Sequence, residues 1–331
     1  MIDPSTYHAI EHARLERERL FPRTWLFAAH LSQLARPSGV VPLRIGKDPI
    51  LLVREGDAVR AFHDVCLHRG AQISRGAGPC TRLRCSYHGW EYALNGALLS
   101  KPLAGATQPQ LSALACEVRH GAVWIAMEPE RTIDAWLAPI EALLASAPLQ
   151  RTHLTHGHRI EVPCNWKVSS DVHNEAYHLT TLHPEFKGMI DLDTIEVKAH
   201  GLHTHFRIPI ASPSGPRVKH QIYLFPNVQM NWMEGEDAVE IYRHWPHAES
   251  PVQAYFEELR LGPNAEAVPP VIETFAYGAR SFGPITDADL AMLPFLQAGL
   301  SSRGAMPPRL HRLELPIAHM HAGIAAFVEG P

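Results

Sequence analysis

An α+β protein is predicted from three observations. Residues 39–123 break into short extended runs separated by turns. Residues 154–261 form longer extended runs, and helical periodicity brackets that second region on both sides. The chain has 331 residues, enough for one large or two ordinary domains. Hydrophobic residues make up 46% and charged residues 19%, the balance of a globular protein. Net charge is −4 with no long basic run, which disfavours nucleic acid and anionic membrane surfaces as partners. No stretch of about 18 residues is continuously apolar, so no transmembrane helix is expected. The first residues carry charges throughout and lack the apolar core of an export signal. Five Cys at sparse spacing do not suggest a disulfide framework. A cytoplasmic location is expected.

The elements follow in order. Residues 8–20 are rich in helix formers and are stopped by Pro22. Short strands are read at 40–43, 50–53, 59–62, 91–94 and 123–125, and Asn95-Gly96 signals a hairpin. Residues 132–147 read as a helix with Leu137, Ile140, Leu143 and Leu144 on one face. Extended runs are expected at 154–162, 195–210, 218–233, 238–245 and 253–261, and two late helices near 286–301 and 312–328. There is no internal repeat, no P-loop and no G-x-G-x-x-G after a strand, so no nucleotide or flavin site of the chain's own is expected.

The densest chemistry lies in Cys66-Leu67-His68-Arg69-Gly70 and Cys85-Ser86-Tyr87-His88-Gly89-Trp90. Each run offers one thiolate and one imidazole. Zinc fingers pair Cys with Cys and His with His, whereas here each run is mixed. Two mixed loops suit a [2Fe–2S] cluster with two Cys on one iron and two His on the other. A structural zinc ribbon is the alternative. Cys80, between the runs, lacks a His partner and reads as a loop residue.

The second dense stretch is residues 165–184, with His178 and His183 five apart and carboxylates upstream. On a helix Glu175 and His178 are neighbours on one face, whereas His178 and His183 lie about 140° apart. They converge on one ion only if the helix ends or distorts between them, and Thr180, Thr181 and Pro184 allow that. Two His and one distant carboxylate make a facial triad with open positions for O₂ on Fe(II). An ordinary surface helix is the bland alternative. Closely spaced His elsewhere, such as His156 and His158 or His203 and His205, read as polar strand faces.

The Cys/His runs resemble the Rieske signature C-x-H-x(n)-C-x-x-H. Residues 171–183 resemble the mononuclear iron motif of Rieske non-haem iron oxygenases, and the likeness extends to Asn165-Trp166-Lys167, Phe225-Pro226-Asn227 and Gln297-Ala298-Gly299-Leu300. The resemblance implies an α+β architecture: an N-terminal helix (1–36) packing with the catalytic domain, a small antiparallel β Rieske domain (37–127), and a helix-on-antiparallel-sheet catalytic domain (128–331). It makes Cys66, His68, Cys85 and His88 the [2Fe–2S] ligands, and His178 and His183 ligands of a mononuclear Fe(II). It makes Glu175 the carboxylate bridging toward a Rieske histidine. It places the third iron ligand at Asp289, on a face expected to run Asp289, Leu293, Leu296, Leu300. Asp287 is the rival ligand, and a helix cap is the rival role for Asp289. Val172, Ala288 and Pro294 depart from the family's usual residues.

The implied function is that of a terminal oxygenase (alpha) subunit, hydroxylating or N/O-dealkylating a small quaternary ammonium or aromatic compound with O₂. A soluble Rieske-type electron-transfer protein is the alternative. Electrons are expected from an NAD(P)H-dependent reductase, directly or through a ferredoxin. A homotrimer is expected from the size class. Glu at position 175 resembles the branch acting on quaternary ammonium compounds, for which Tyr223, Phe225, Trp232, Tyr242, Trp245, Tyr277 and Phe282 offer cage or core aromatics.

Overall fold

The computed structural model describes residues 1–101, 110–265 and 271–330. Its first β unit contains β1 (Leu26–His30), β2 (Ser38–Ile45), β3 (Asp48–Glu55), β4 (Ala58–His63), β5 (Gly78–Pro79), β6 (Leu83–Arg84), β7 (Glu91–Tyr92), β8 (Leu98–Ser100), β9 (Ala113–Arg119) and β10 (Ala122–Ala126). Seven of these form an antiparallel sheet in the order β1-β10-β9-β4-β3-β2-β5, and β6-β7-β8 form a small second sheet. The hairpin read at Asn95-Gly96 lies between β7 and β8, with Gly96 at φ 85°, a conformation that glycine adopts without strain. β1 belongs to the first 36 residues yet pairs with β10, so that segment contributes to the β unit as well as to the helical layer.

The larger sheet has eight strands in the order β12-β13-β14-β15-β16-β17-β11-β18. They are β11 (His153–Val162), β12 (Glu196–His200), β13 (His203–Ile210), β14 (Arg217–Leu224), β15 (Val228–Met233), β16 (Val239–Pro246), β17 (Ala254–Gly262) and β18 (Glu273–Phe275). Each long run expected at 195–210 and 218–233 is a pair of strands with a turn, at Gly201 and at Pro226. The sheet is antiparallel except at its edge, where β18 runs parallel to β11. The helix expected over 132–147 is divided into Ile133–Leu137, Ala138–Ile140 and Glu141–Ser146, because Pro139 cannot supply an interior helical N–H.

Helices cover one face of this sheet. The Trp166–His173 helix crosses β15, β16 and β17 and packs against the Pro284–Leu300 helix. The Leu315–Val328 helix packs against the N-terminal turn Glu16–Leu20. A buried ion pair fastens the N-terminal layer to the Trp166–His173 helix. Glu16 accepts from Lys167 Nζ and from Trp166 Nε1 at 2.8 Å, and the Glu16 and Lys167 side chains are 1% and 0% exposed. Burial alone would raise the Glu16 carboxyl; the Lys167 charge and His12 outweigh it and pull it down to about 2.

Glu16→Ala should therefore cost about 3–5 kcal/mol of stability, because it strands a buried ammonium. A denaturant titration checks this, and Glu16→Leu combined with Lys167→Met should recover most of the loss. A depressed carboxyl stabilises the fold above its unfolded value, so this contribution is present above about pH 4.5 and is lost as pH falls toward 2.

Candidate functional site

The two Cys/His loops share one backbone pattern. Cys66 N–H donates to Ala71 O at 2.8 Å and Gly70 N–H to Cys66 O at 2.9 Å; Cys85 N–H donates to Trp90 O at 2.8 Å and Gly89 N–H to Cys85 O at 2.9 Å. Gly70 and Gly89 take left-handed φ of 73° and 72°, which turns each loop back on itself. Asp64 is buried at the base and accepts from the Ile73 and Ser74 N–H groups, both at 3.0 Å. Cys66 and Cys85 are buried and form no disulfide. The imidazoles lie outside them, exposed, with His68 Nδ1 3.1 Å from His88 Nδ1. Trp90 stacks on His68 at 5.0 Å, and Tyr87 packs on His88. Tyr92 Oη accepts from Leu67 N–H at 3.1 Å and lies 3.2 Å from Cys66 Sγ. Two thiols and two Nδ1 atoms thus meet at one tip.

The second group gathers where the Trp166–His173 helix ends. That helix stops at His173, before both His178 and His183, rather than between them. Tertiary bonds remove the chain from the helical path. Asn174 Nδ2 donates to Pro316 O at 3.2 Å, and Ala176 N–H donates to Leu313 O at 3.3 Å. Glu175 still reaches His178: its Oε1 accepts from His178 Nδ1, and its Oε2 accepts from the Tyr177 and His178 N–H groups. His178 therefore presents its Nε2 inward, 3.5 Å from Asp289 Oδ1, and His183 Nε2 lies 3.0 Å from the same oxygen. One ligand atom from each of His178, His183 and Asp289 falls within 4.8 Å of the others. Burial pulls the His178 imidazole down, but its hydrogen bond to Glu175 and the charges of Glu175 and Asp289 win and raise it.

Asp287 is elsewhere. It accepts from Phe282 N–H at 2.8 Å and from Ser281 Oγ, bracing the start of the late helix. Thr286 does not cap Asp289; its Oγ1 pairs with Tyr242 Oη at 3.0 Å. The inward face of this helix is Thr286, Asp289, Leu290, Leu293 and Gln297. Leu296 is 37% exposed, so the face turns away from the expected apolar row. Gln297 sets that rotation by accepting from Asn165 N–H at 2.7 Å and donating to Ser301 Oγ at 2.9 Å.

Comparison with known proteins accords with this geometry. Residues 24–115 match the Rieske [2Fe-2S] domain, and residues 149–221 match the ring hydroxylating alpha subunit (catalytic domain). The chain is 29% identical over 321 residues to the carnitine monooxygenase oxygenase subunit of Escherichia coli (strain K12), covering 90% of this chain and 82% of that one. It is 30% identical over 202 residues to benzene 1,2-dioxygenase subunit alpha of Pseudomonas putida, covering 54% and 43%. The crystal structure of a quaternary ammonium Rieske monooxygenase in complex with an inhibitor superposes with a TM-score of 0.87 at 22% identity, covering 99% of this chain and 95% of that one. The chain therefore joins a Rieske [2Fe–2S] domain to the catalytic domain of a ring-hydroxylating alpha subunit.

With these two domains it carries a [2Fe–2S] cluster and a mononuclear iron. The residues present fit both groups. Buried His183 Nε2 and Asp289 Oδ1 have no hydrogen-bond partner, which is costly unless a cation lies between them. Two imidazoles and one carboxylate are a donor set suited to Fe(II). Two unpaired buried thiols beside two converging Nδ1 atoms suit the cluster.

The cavity beneath His178, His183 and Asp289 measures about 310 Å³. Its roof is the His178, His183 and Asp289 group, and its floor is the sheet surface bearing Lys219, Gln221, Gln229, Glu240 and Tyr242. Of the seven aromatics considered for a cage, only Tyr242 and Phe282 line it. Tyr223 and Phe225 are core, Trp245 donates to Glu257, and Tyr277 donates to Leu290 O. Two further groups at this cavity are absent from the residues that the sequence singles out. His173 is buried with Nε2 3.8 Å from Asp289 Oδ2 and its ring against Tyr242, His244 and Phe256. Lys219 sits on β14 facing the cavity. His173 stands inside the iron motif, which is the one hint available; Lys219 has none.

Proposed function

We propose that this chain is the terminal oxygenase of a multicomponent system, inserting oxygen into a small organic molecule held in the cavity beneath His178, His183 and Asp289. The observation that carries this reading is the convergence of those three donors over an open cavity, with Glu175 on the far nitrogen of His178. We assign the iron to His178, His183 and Asp289, and the cluster to Cys66, His68, Cys85 and His88. The cluster supplies single electrons and the iron supplies O₂ activation when both are bound. Electrons reach the chain from a separate NAD(P)H-dependent reductase, directly or through a ferredoxin.

The chain's own residues do the rest. Glu175 accepts the Nδ1 proton of His178, which fixes the tautomer that leaves Nε2 free for a metal. The Trp166–His173 helix and the Pro284–Leu300 helix hold the roof, and strands β14 to β17 form the floor. The relatives that act on carnitine support a substrate of the quaternary ammonium class, as does Glu at position 175. Tyr242, Phe282 and Phe186 are the aromatic walls available for it.

A division at 127/128 suits the two sheets, with β1 of the first 36 residues joining the 37–127 unit. A homotrimer is supported by the surface at the cluster tip: the exposed rings of His68 and His88 stand with exposed Tyr87 and Leu67. Among the described residues, no hydrogen bond or ring contact joins this tip to the iron-site residues of its own chain.

Iron analysis with low-temperature EPR tests the assignment. The protein should contain about three iron atoms per chain, two of them in a cluster with His ligands and a low average g value. About two iron atoms would point to an electron carrier, and zinc would overturn the reading. Cys85→Ser should remove about two iron atoms and the visible absorbance of the cluster. It should leave the mononuclear iron in place, which chelation and colorimetry can quantify.

A further inference from the structure

The cavity floor carries more polar chemistry than iron binding or the fold uses. Cross-strand register places Gln221 opposite Asn231, Asn231 opposite Glu240, and Glu240 opposite Arg260, while Lys219 lies two residues from Gln221 on β14. Residues two apart on a strand share a face, so these side chains form one surface. Asn231 and Gln229 are 4% and 3% exposed. They bond each other, Gln229 Nε2 donating to Asn231 Oδ1 at 3.1 Å, which leaves Asn231 Nδ2 and Gln229 Oε1 without partners. Turning both amides over would still leave one N–H and one carbonyl unpaired.

Lys219 is the one ammonium on this floor. Among the described residues it makes no ion pair and no hydrogen bond. Arg260, in contrast, is occupied by Glu258 at 2.9 Å and Phe282 O at 2.8 Å, although its buried Nε is free, with Glu240 Oε1 3.7 Å away. Burial pulls the Lys219 ammonium below its ordinary value, against the attraction of Glu240 and Asp289. A half-buried cation with no ion-pair partner among the described residues calls for an anionic acceptor.

We propose that this floor is a carboxylate-binding subsite: Lys219, which faces both this cavity and the neighbouring one lined by Asn231, grips a carboxylate of the substrate and holds its remainder beneath His178, His183 and Asp289. The proposal rests on the oxygenase reading of the same cavity and narrows its substrate class. A neutral hydrocarbon would leave the Lys219 ammonium without an anionic acceptor, a cost that disfavours it. A cation without an acidic group would meet Lys219 as a like charge, so among quaternary ammonium substrates one that also carries a carboxylate suits this floor better.

Calorimetric titration of the iron-loaded protein, without reductant, tests the subsite apart from turnover. The probes are benzoate, butyrate and γ-butyrobetaine, each against its primary amide. At least one acid should bind about ten- to hundred-fold tighter than its amide, and which acid it is separates an aromatic, an aliphatic and a betaine substrate. Lys219→Met should collapse that ratio to near one, and Lys219→Arg should keep most of it. Amides binding as well as their acids, no acid binding at all, or a ratio unchanged in Lys219→Met overturns the subsite. The oxygenase reading is judged separately, by iron content and the cluster EPR of the same samples.

Discussion

Asp289→Ala should abolish turnover and strip the mononuclear iron while leaving the cluster spectrum intact. Asp289 brings the only negative charge among the three proposed ligands, and its Oδ1 is the atom that both His183 Nε2 and His178 Nε2 approach, at 3.0 and 3.5 Å. Removing it leaves two neutral imidazoles, too few donors to hold Fe(II) against water. Changes to groups merely supporting a ligand already cost about 10- to 100-fold in affinity or activity, so loss of the ligand itself should exceed that. Burial alone would raise this carboxyl; the close approach of His183 and the neighbouring His173 and His178 outweigh it and hold it below its ordinary value. Asp289→Asn tests charge at constant shape and should also lose most of the iron. Asp287→Ala is the control. Asp287 braces Ser281 and Phe282 at the helix start, so its loss should cost about 1 kcal/mol of stability and leave iron content unchanged. Iron loss in Asp287→Ala with iron retained in Asp289→Ala would reverse the assignment.

Much of this site is legible in the sequence because its constraints are local. The cluster loops each carry Cys, His and a turn-forming Gly within a few residues, and the matching left-handed Gly70 and Gly89 realise the same hydrogen-bond pattern twice. The placement of the iron histidines is less local. The helix before them ends at His173 because Pro316 O and Leu313 O, more than a hundred residues away, capture Asn174 and Ala176. The apolar row through Leu296 fails for a similar reason: Gln297 is turned inward by Asn165. The cavity floor is the least legible part. Alternating polar residues on β14, β15 and β16 read as strands with one face in water. Here that face is roofed by two helices, which only the tertiary arrangement discloses. The aromatics err in the opposite sense. Of seven cage candidates five face the core or other surfaces, since large rings at strand spacing are recruited first by packing.

Glu175→Gln should keep both metals and the proposed trimer yet slow electron transfer into the iron site by about ten- to hundred-fold or more. Glu175 Oε1 holds the Nδ1 proton of His178, and Oε2 is taken by the N–H groups of Tyr177 and His178. A carboxylate has about four acceptor positions, so room remains on Oε1 for one more N–H. The ring nitrogen of a cluster histidine that does not bind iron has such a proton to give. His88 is exposed at the tip of its own chain, ringed by Tyr87, and has no contact there with Glu175. His88 of the partner subunit satisfies both ends if subunits pack head to tail, and closing such a heterologous contact on three copies leaves none unmade. The family resemblance implies the same arrangement, because the two centres within one subunit of that family are too far apart for fast transfer. Glutamine keeps the length but replaces one oxygen with an NH₂. That group must then face either the His178 N–H, the two backbone N–H groups or the partner's ring, and in each case donor meets donor. The measurement is the rate of cluster reoxidation in a single turnover, alongside iron content and the mass of the assembly by light scattering. Unchanged reoxidation in a fully loaded Glu175→Gln trimer, or full activity in a monomer, would rule out the bridge. Slow reoxidation with both metals and the trimer retained would leave the missing acceptor as its cause.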